Sequence, residues 1–232
     1  MLTDPQRFNL YSYVRNNPLR YFDPRGEEIE LTGSTDEERK RQLAAIRSAI
    51  GKGGDRLTIN QNKDTGKYLV GIQGDAAAFS KTSDVAAGFA KIIQNPEVAK
   101  FAFAAGAENL ALHDEKGPYT LRGKPANGVT GRDPSGQLWV YVLRAPECCA
   151  GESGADFGRF TMGGVLDFLG ITSVSADQGT VAAHEFGHAE YLMQVGASGR
   201  IDLQASNKSA LNLENAARKA RDPNAPVRIG HQ

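Results

Sequence analysis

Cysteine is almost missing from this chain: two in 232 residues, and the two are neighbours, Cys148 and Cys149. An adjacent pair builds no disulfide framework, and adjacent side chains rarely point at one ion, so the pair reads as two thiols in a loop. Long apolar runs are missing too. The longest stretch without a charged residue is ten residues, Pro134 to Leu143, whereas a membrane-spanning helix needs roughly 20. No basic segment leads into an apolar one near Met1, so no secretory leader is expected, and export would fall to a longer chain or a dedicated machine. An excess of either charge is absent as well. Lys plus Arg and Asp plus Glu both total 27, for a formal net charge of zero. That balance argues against a generally basic nucleic-acid binder and against a polybasic membrane anchor.

Histidine is also scarce, four in all, yet two of the four fall in His184-Glu185-Phe186-Gly187-His188. The spacing is H-E-x-x-H. Residues four apart share one face of a helix, so both imidazoles reach the same ion, and the intervening carboxylate sits beside it. Two His ligands with an adjacent general base form the core of a hydrolytic zinc site. His113 reads as an ordinary surface histidine.

A catalytic zinc needs a third protein ligand and leaves its fourth position to water. The later candidates are Glu190, Tyr191, Asp202, Glu214 and His231. Glu214 is preferred, because its immediate neighbours, Leu211-Asn212-Leu213 and Asn215-Ala216-Ala217, carry no charge. A lone carboxylate among them calls for a partner inside the protein, such as a metal. His231 is the runner-up. Tyr191 shares the face of His184 and His188, where it either packs in the core or donates a hydrogen bond to an oxyanion.

The pattern around the motif predicts a helix from about 181 to 195, capped by Thr180 and ended by Gly196, and a second from about 207 to 221, starting after Ser206. Gly187 is a poor helix former, and a small residue there would let another segment approach closely. Upstream, residues 36–50 predict an amphipathic helix with Leu43, Ile46 and Ile50 inward. Residues 57–59 and 67–72 predict a hairpin around Asp64-Thr65-Gly66, and residues 84–94 a further helix. The segment 97–105 fits a helix or a strand. Residues 113–136 read as loop, 137–144 as a strand buried on both faces, and 145–164 as a glycine-rich loop, either a lid or a surface excursion.

Residues 4–26 resemble the end of the Rhs (YD-repeat) core. The resemblance rests on Tyr11-Ser12-Tyr13-Val14-Arg15-Asn16-Asn17-Pro18 running into Asp23-Pro24-Arg25-Gly26. It covers about a tenth of the chain. In that family the Asp-Pro-x-Gly motif borders a variable C-terminal tip, and the tips resemble toxins delivered into target cells. The resemblance therefore implies two units: 1–26, the end of the core, and 27–232, the tip. It also implies delivery by a secretion system, a cognate immunity protein and an Rhs shell as partners.

His184, His188 and Glu214 together resemble zincins of the His-His-Glu class, and Leu213–Arg218 with Arg228-Ile229-Gly230-His231 is similar to the tail of zincin-type Rhs tips. The metzincin extension is absent, since Tyr191 and Gln194 stand where that pattern has Gly and His. The implied fold is α+β, a small mixed sheet packed on the active-site helix and a following ligand helix. The expected activity is that of a zinc (Zn2+) metallopeptidase toxin acting on a protein or peptide, with Glu185 as general base. The alternative is a non-catalytic module in which zinc staples two helices.

Overall fold

A computed structural model describes residues 29–114, 117–122, 126–144 and 177–230. The expectations for the border motif at 23–26, the cysteine pair, the loop at 145–164 and His231 lie outside the described residues. The chain is α+β. Strands β1 (Ile29–Leu31), β2 (Leu57–Gln61), β3 (Tyr68–Ile72), β4 (Ala99–Ala104), β7 (Gly128–Arg132) and β8 (Leu138–Leu143) form one six-stranded mixed sheet. Its order is β2-β3-β1-β4-β8-β7. β1, β4 and β8 run parallel, while β3 and β7 pair antiparallel to their neighbours. A second, two-stranded sheet joins β5 (His113–Asp114) to β6 (Gly117–Pro118).

Among the described residues, five α-helices accompany the sheet: α1 (Asp36–Ile50), α2 (Ala76–Ser80), α3 (Asp84–Ile93), α4 (Gln178–Val195) and α5 (Leu203–Arg221). α1 has the predicted bounds, because its ends are chemically marked. Thr35 Oγ1 accepts the Glu38 N–H, Asp36-Glu37-Glu38 fill the first turn, and Gly51 leaves the helix at φ 67°. The hairpin of β2 and β3 and the helix α3 also lie where the pattern put them.

The undecided stretch at 97–105 is the central strand β4. Its Phe101 faces the helices, and its backbone pairs with β1 on one side and β8 on the other. The segment 113–136 is not all loop. Its residues 128–132 are β7, the edge strand beside β8, although two glycines in five residues argue against a strand. Register along β8 overrides that poor propensity, with Gly128 opposite Val142 and Thr130 opposite Val140.

Two caps also differ from expectation. Asp177, not Thr180, caps α4: its carboxylate accepts the Thr180 N–H at 2.7 Å. Asp202, not Ser206, caps α5, taking the N–H groups of Gln204 and Ala205. Each helix therefore starts three or four residues earlier than its hydrophobic pattern, because an aspartate stands there to accept first-turn N–H groups.

The core lies between one face of the sheet and α1, α3 and α4, and α5 packs across α4, α3 and α1. Phe186, inside the histidine motif, is the pin. Its ring meets Phe89 of α3 and Phe101 of β4, each at a centroid distance of 5.2 Å. Burying an aromatic so completely contributes about 3–5 kcal/mol by the cost of truncation, and it fixes how α4 is rotated over the sheet.

Candidate metal centre

His184 and His188 share one face of α4, while Glu185, Phe186 and Gly187 each meet a different surrounding. Phe186 enters the core. Gly187 abuts α5: a methyl there would stand 2.5 Å from the Ala210 Cα and 2.7 Å from the Ser209 carbonyl oxygen. The close approach expected of this glycine is thus a backbone contact between α4 and α5. It brings α5 near enough for its side chains to reach both histidines.

His184 is buried, and its Nδ1 lies 2.7 Å from Glu214 Oε2. His188 Nδ1 lies 2.8 Å from Ser206 Oγ. The two rings stand edge to face with centroids 5.0 Å apart. A tetrahedral zinc bound by two imidazoles at about 2.0–2.1 Å puts their centroids roughly 5 Å apart, so the pair has the separation such an ion needs. With Nδ1 of His184 donating to a carboxylate, that ring's coordinating lone pair is on Nε2, and a partner on the other ring nitrogen is what a metal-ligating histidine ordinarily has. The donor chemistry of the pair fits zinc. Among the described residues, no group of three His, Cys, Asp or Glu side chains is arranged to hold an ion.

Glu214 is brought to the site in a different position from the one expected of a third ligand. Oε1 accepts Arg218 Nε at 3.1 Å and Nη2 at 2.7 Å. Oε2 accepts His184 Nδ1, and Arg228 Nη1 approaches it at 3.4 Å. The lone carboxylate does have an internal charge partner. That partner is two arginines and a histidine: Arg218 from the next turn of α5, and Arg228 from the tail beyond it. Burial pushes the Glu214 carboxyl up, but the His184 hydrogen bond and charge and the two guanidinium groups outweigh it and hold the group down at about 2.

Glu185 turns toward the sheet and is buried. Thr130 of β7 donates its hydroxyl to Glu185 Oε2 at 2.7 Å, and the same hydroxyl oxygen lies 3.0 Å from the Glu185 carbonyl oxygen. Beside it, Gly128 leaves the space the carboxylate fills: a methyl there would stand 2.8 Å from Oε1 and 2.6 Å from Cγ. Burial pushes the Glu185 carboxyl up, opposed by the charge of His184 and the Thr130 hydrogen bond. A carboxylate raised in this way is a stronger base than an exposed one.

Tyr191 is partly buried and packs against the core. Its hydroxyl oxygen accepts the Asp202 N–H at 2.7 Å, which ties the start of α5 to α4. The loop at 196–201 returns the chain so closely that the cap residue needs an acceptor there. The remaining ligand candidates have other partners. Glu190 faces Lys91 at 3.7 Å, and the Asp202 carboxylate is the α5 cap. His113 is exposed on β5, as read.

No role at the site follows from the sequence for Gly128, Thr130, Ser206, Arg218 or Arg228. Arg218 was open to it, standing four residues after Glu214 on the same helix face. Gly128 and Thr130 needed β7 to be recognised, and Ser206 was taken for a cap. Comparison with known proteins brings no neighbour to this arrangement: no family model, no curated protein and no solved structure matches the chain.

Proposed function

We propose that the chain is a zinc-dependent peptidase of zincin-like plan, delivered as the toxin tip of an Rhs protein. The reading rests on one observation above the others: His184 and His188 lie 5.0 Å apart, each with Nδ1 already engaged, and Glu185 of the same helix turn is buried against the edge strand. His184 and His188 would supply two of the three protein ligands a catalytic zinc takes, each through Nε2. Zinc held there supplies the acidity that brings the pKa of a bound water to about 7.

The rest of the chemistry belongs to the chain's own groups. Glu185 takes the water proton as a substrate carbonyl is attacked, then returns it to the departing amine. Thr130 holds Oε2, which leaves Oε1 to carry the proton between the two. β7 runs at the sheet edge beside that carboxylate, so an extended peptide paired along it would bring its carbonyls past Glu185. Protein or peptide is therefore the proposed substrate class, and an immunity protein covering the cleft the proposed partner.

A second reading keeps the metal and drops the reaction. His184 with Glu214 and His188 with Ser206 both join α4 to α5, so zinc could serve to staple the two helices. Glu185→Gln separates the readings. The variant should retain zinc but lose at least 10²-fold in peptide cleavage, and lose toxicity in a bacterial host. Undiminished cleavage or toxicity would remove Glu185 from the reaction, and a wild-type chain that binds zinc without cleaving peptide would leave the staple.

A further inference from the structure

The tail beyond α5 folds back along the helix and meets it at Asn215. The Asn215 amide donates Nδ2–H to the Arg228 carbonyl oxygen at 2.8 Å and accepts the Arg228 N–H on Oδ1 at 2.7 Å. One side chain thereby satisfies both backbone groups of one tail residue, which fixes the position and direction of the tail at that point. Arg228 in turn sends its guanidinium back to Glu214 Oε2, the oxygen that holds His184 Nδ1. On the other oxygen, Arg218 takes two of its donors to Oε1. The Glu214 side chain is 2% exposed and the Arg228 side chain 30%. A buried carboxylate is thus fixed by a partly exposed arginine that the tail delivers.

We propose that residues 222–230 are a strap that positions the first imidazole: Asn215 pins Arg228, Arg228 and Arg218 fix Glu214, and Glu214 aligns His184 from the side away from the ion. Glu214 is then a positioning residue and not a ligand. This rests on the zinc reading of the site and assigns a role to a segment outside the motif. The geometry favours it over ligation because both Glu214 oxygens are already shared among two guanidinium groups and a ring nitrogen. Moving the carboxylate to an ion would draw it away from the guanidinium of Arg218, whose side chain is 8% exposed, and breaking a buried ion pair is costly.

Zinc affinity of the whole chain, measured by competition with a fluorescent chelator, tests it without reference to turnover. Asn215→Ala and Arg228→Gln should each bind one zinc but about 10–100-fold more weakly, the usual cost of losing a residue that orients a ligand. Arg228→Lys, which keeps the cation, should recover most of the loss. In nitrogen-15 spectra the Nδ1 proton of His184 should be slow to exchange in the wild type and fast in Arg228→Gln. Wild-type affinity in both Asn215→Ala and Arg228→Gln would overturn the strap. Complete loss of zinc in a folded Glu214→Gln variant would overturn the positioning role and make Glu214 a ligand. A wild-type chain that binds no zinc at all would overturn the reading of the site itself, a result distinct from either.

Discussion

A single methyl at position 128 reaches the proposed base more directly than any change to the histidines. Gly128→Ala puts a carbon where Glu185 Oε1 and Cγ now lie, and Glu185 is the atom set that must give way, since the other near atom is the backbone oxygen of Tyr141. Peptide cleavage should fall at least tenfold while zinc uptake stays near wild type; equal cleavage would show that Glu185 tolerates displacement. A second residue-scale expectation concerns acid. Asp133 takes the Ser135 hydroxyl and N–H, the Gln137 N–H and the Trp139 Nε1–H, and the Ser135 hydroxyl foremost draws its carboxyl from 3.8 down to about 2. A folded value below the unfolded one adds stability that is complete above about pH 4 and disappears as pH falls toward 2. Wild type should therefore lead Asp133→Asn in denaturant midpoint at pH 6, and the lead should close by pH 2. A gap unchanged across that range would mean the charge contributes nothing.

Helix α4 shows what a linear sequence discloses and what it hides. The H-E-x-x-H spacing, the interior position of both histidines and the need for a small residue at 187 were legible, because each depends on neighbours within one or two turns. The start of α4 was misplaced by three residues, since Asp177 follows a stretch with no clear helical period and Thr180 is itself a good cap. Strand β7 was hidden for a different reason. Gly128 and Gly131 have no β propensity to display, and only pairing with β8 and the room required by Glu185 make that segment a strand. The ion pair of Glu214 with Arg228 was hidden because Arg228 reaches it across a chain reversal.

The element scale carries its own expectations. Gly187→Ala gains about 1 kcal/mol of intrinsic helix propensity, yet it must push α5 away from α4. The net effect should be a loss of 1–3 kcal/mol, read as a lower denaturant midpoint. Stabilisation would mean that the two helices separate without strain. Asp177→Ala removes the α4 cap and should cost about 1 kcal/mol.

At the scale of the molecule, a six-stranded sheet with β1, β4 and β8 parallel at its centre gives α4 a rigid floor, and α5 closes it from the other side. No helix among the described residues is long and apolar enough to cross a membrane. Under the zinc reading, an ion that binds the folded chain alone should raise the melting temperature, by about 2.7 kcal/mol of stability when zinc stands at 100 times its dissociation constant. A strong chelator should reverse the rise. A melting temperature indifferent to zinc and to chelator would count against any tight site.

The hydroxyl of Thr130 reaches Glu185 of α4, and the guanidinium of Arg228, nearly a hundred residues further along, reaches Glu214 of α5, the partner of His184. No short fragment holds both, and no local unfolding of either neighbour spares the cluster. Under the peptidase reading, heat should therefore silence cleavage at the same temperature at which far-ultraviolet ellipticity collapses, leaving no window in which a loosened protein still cuts.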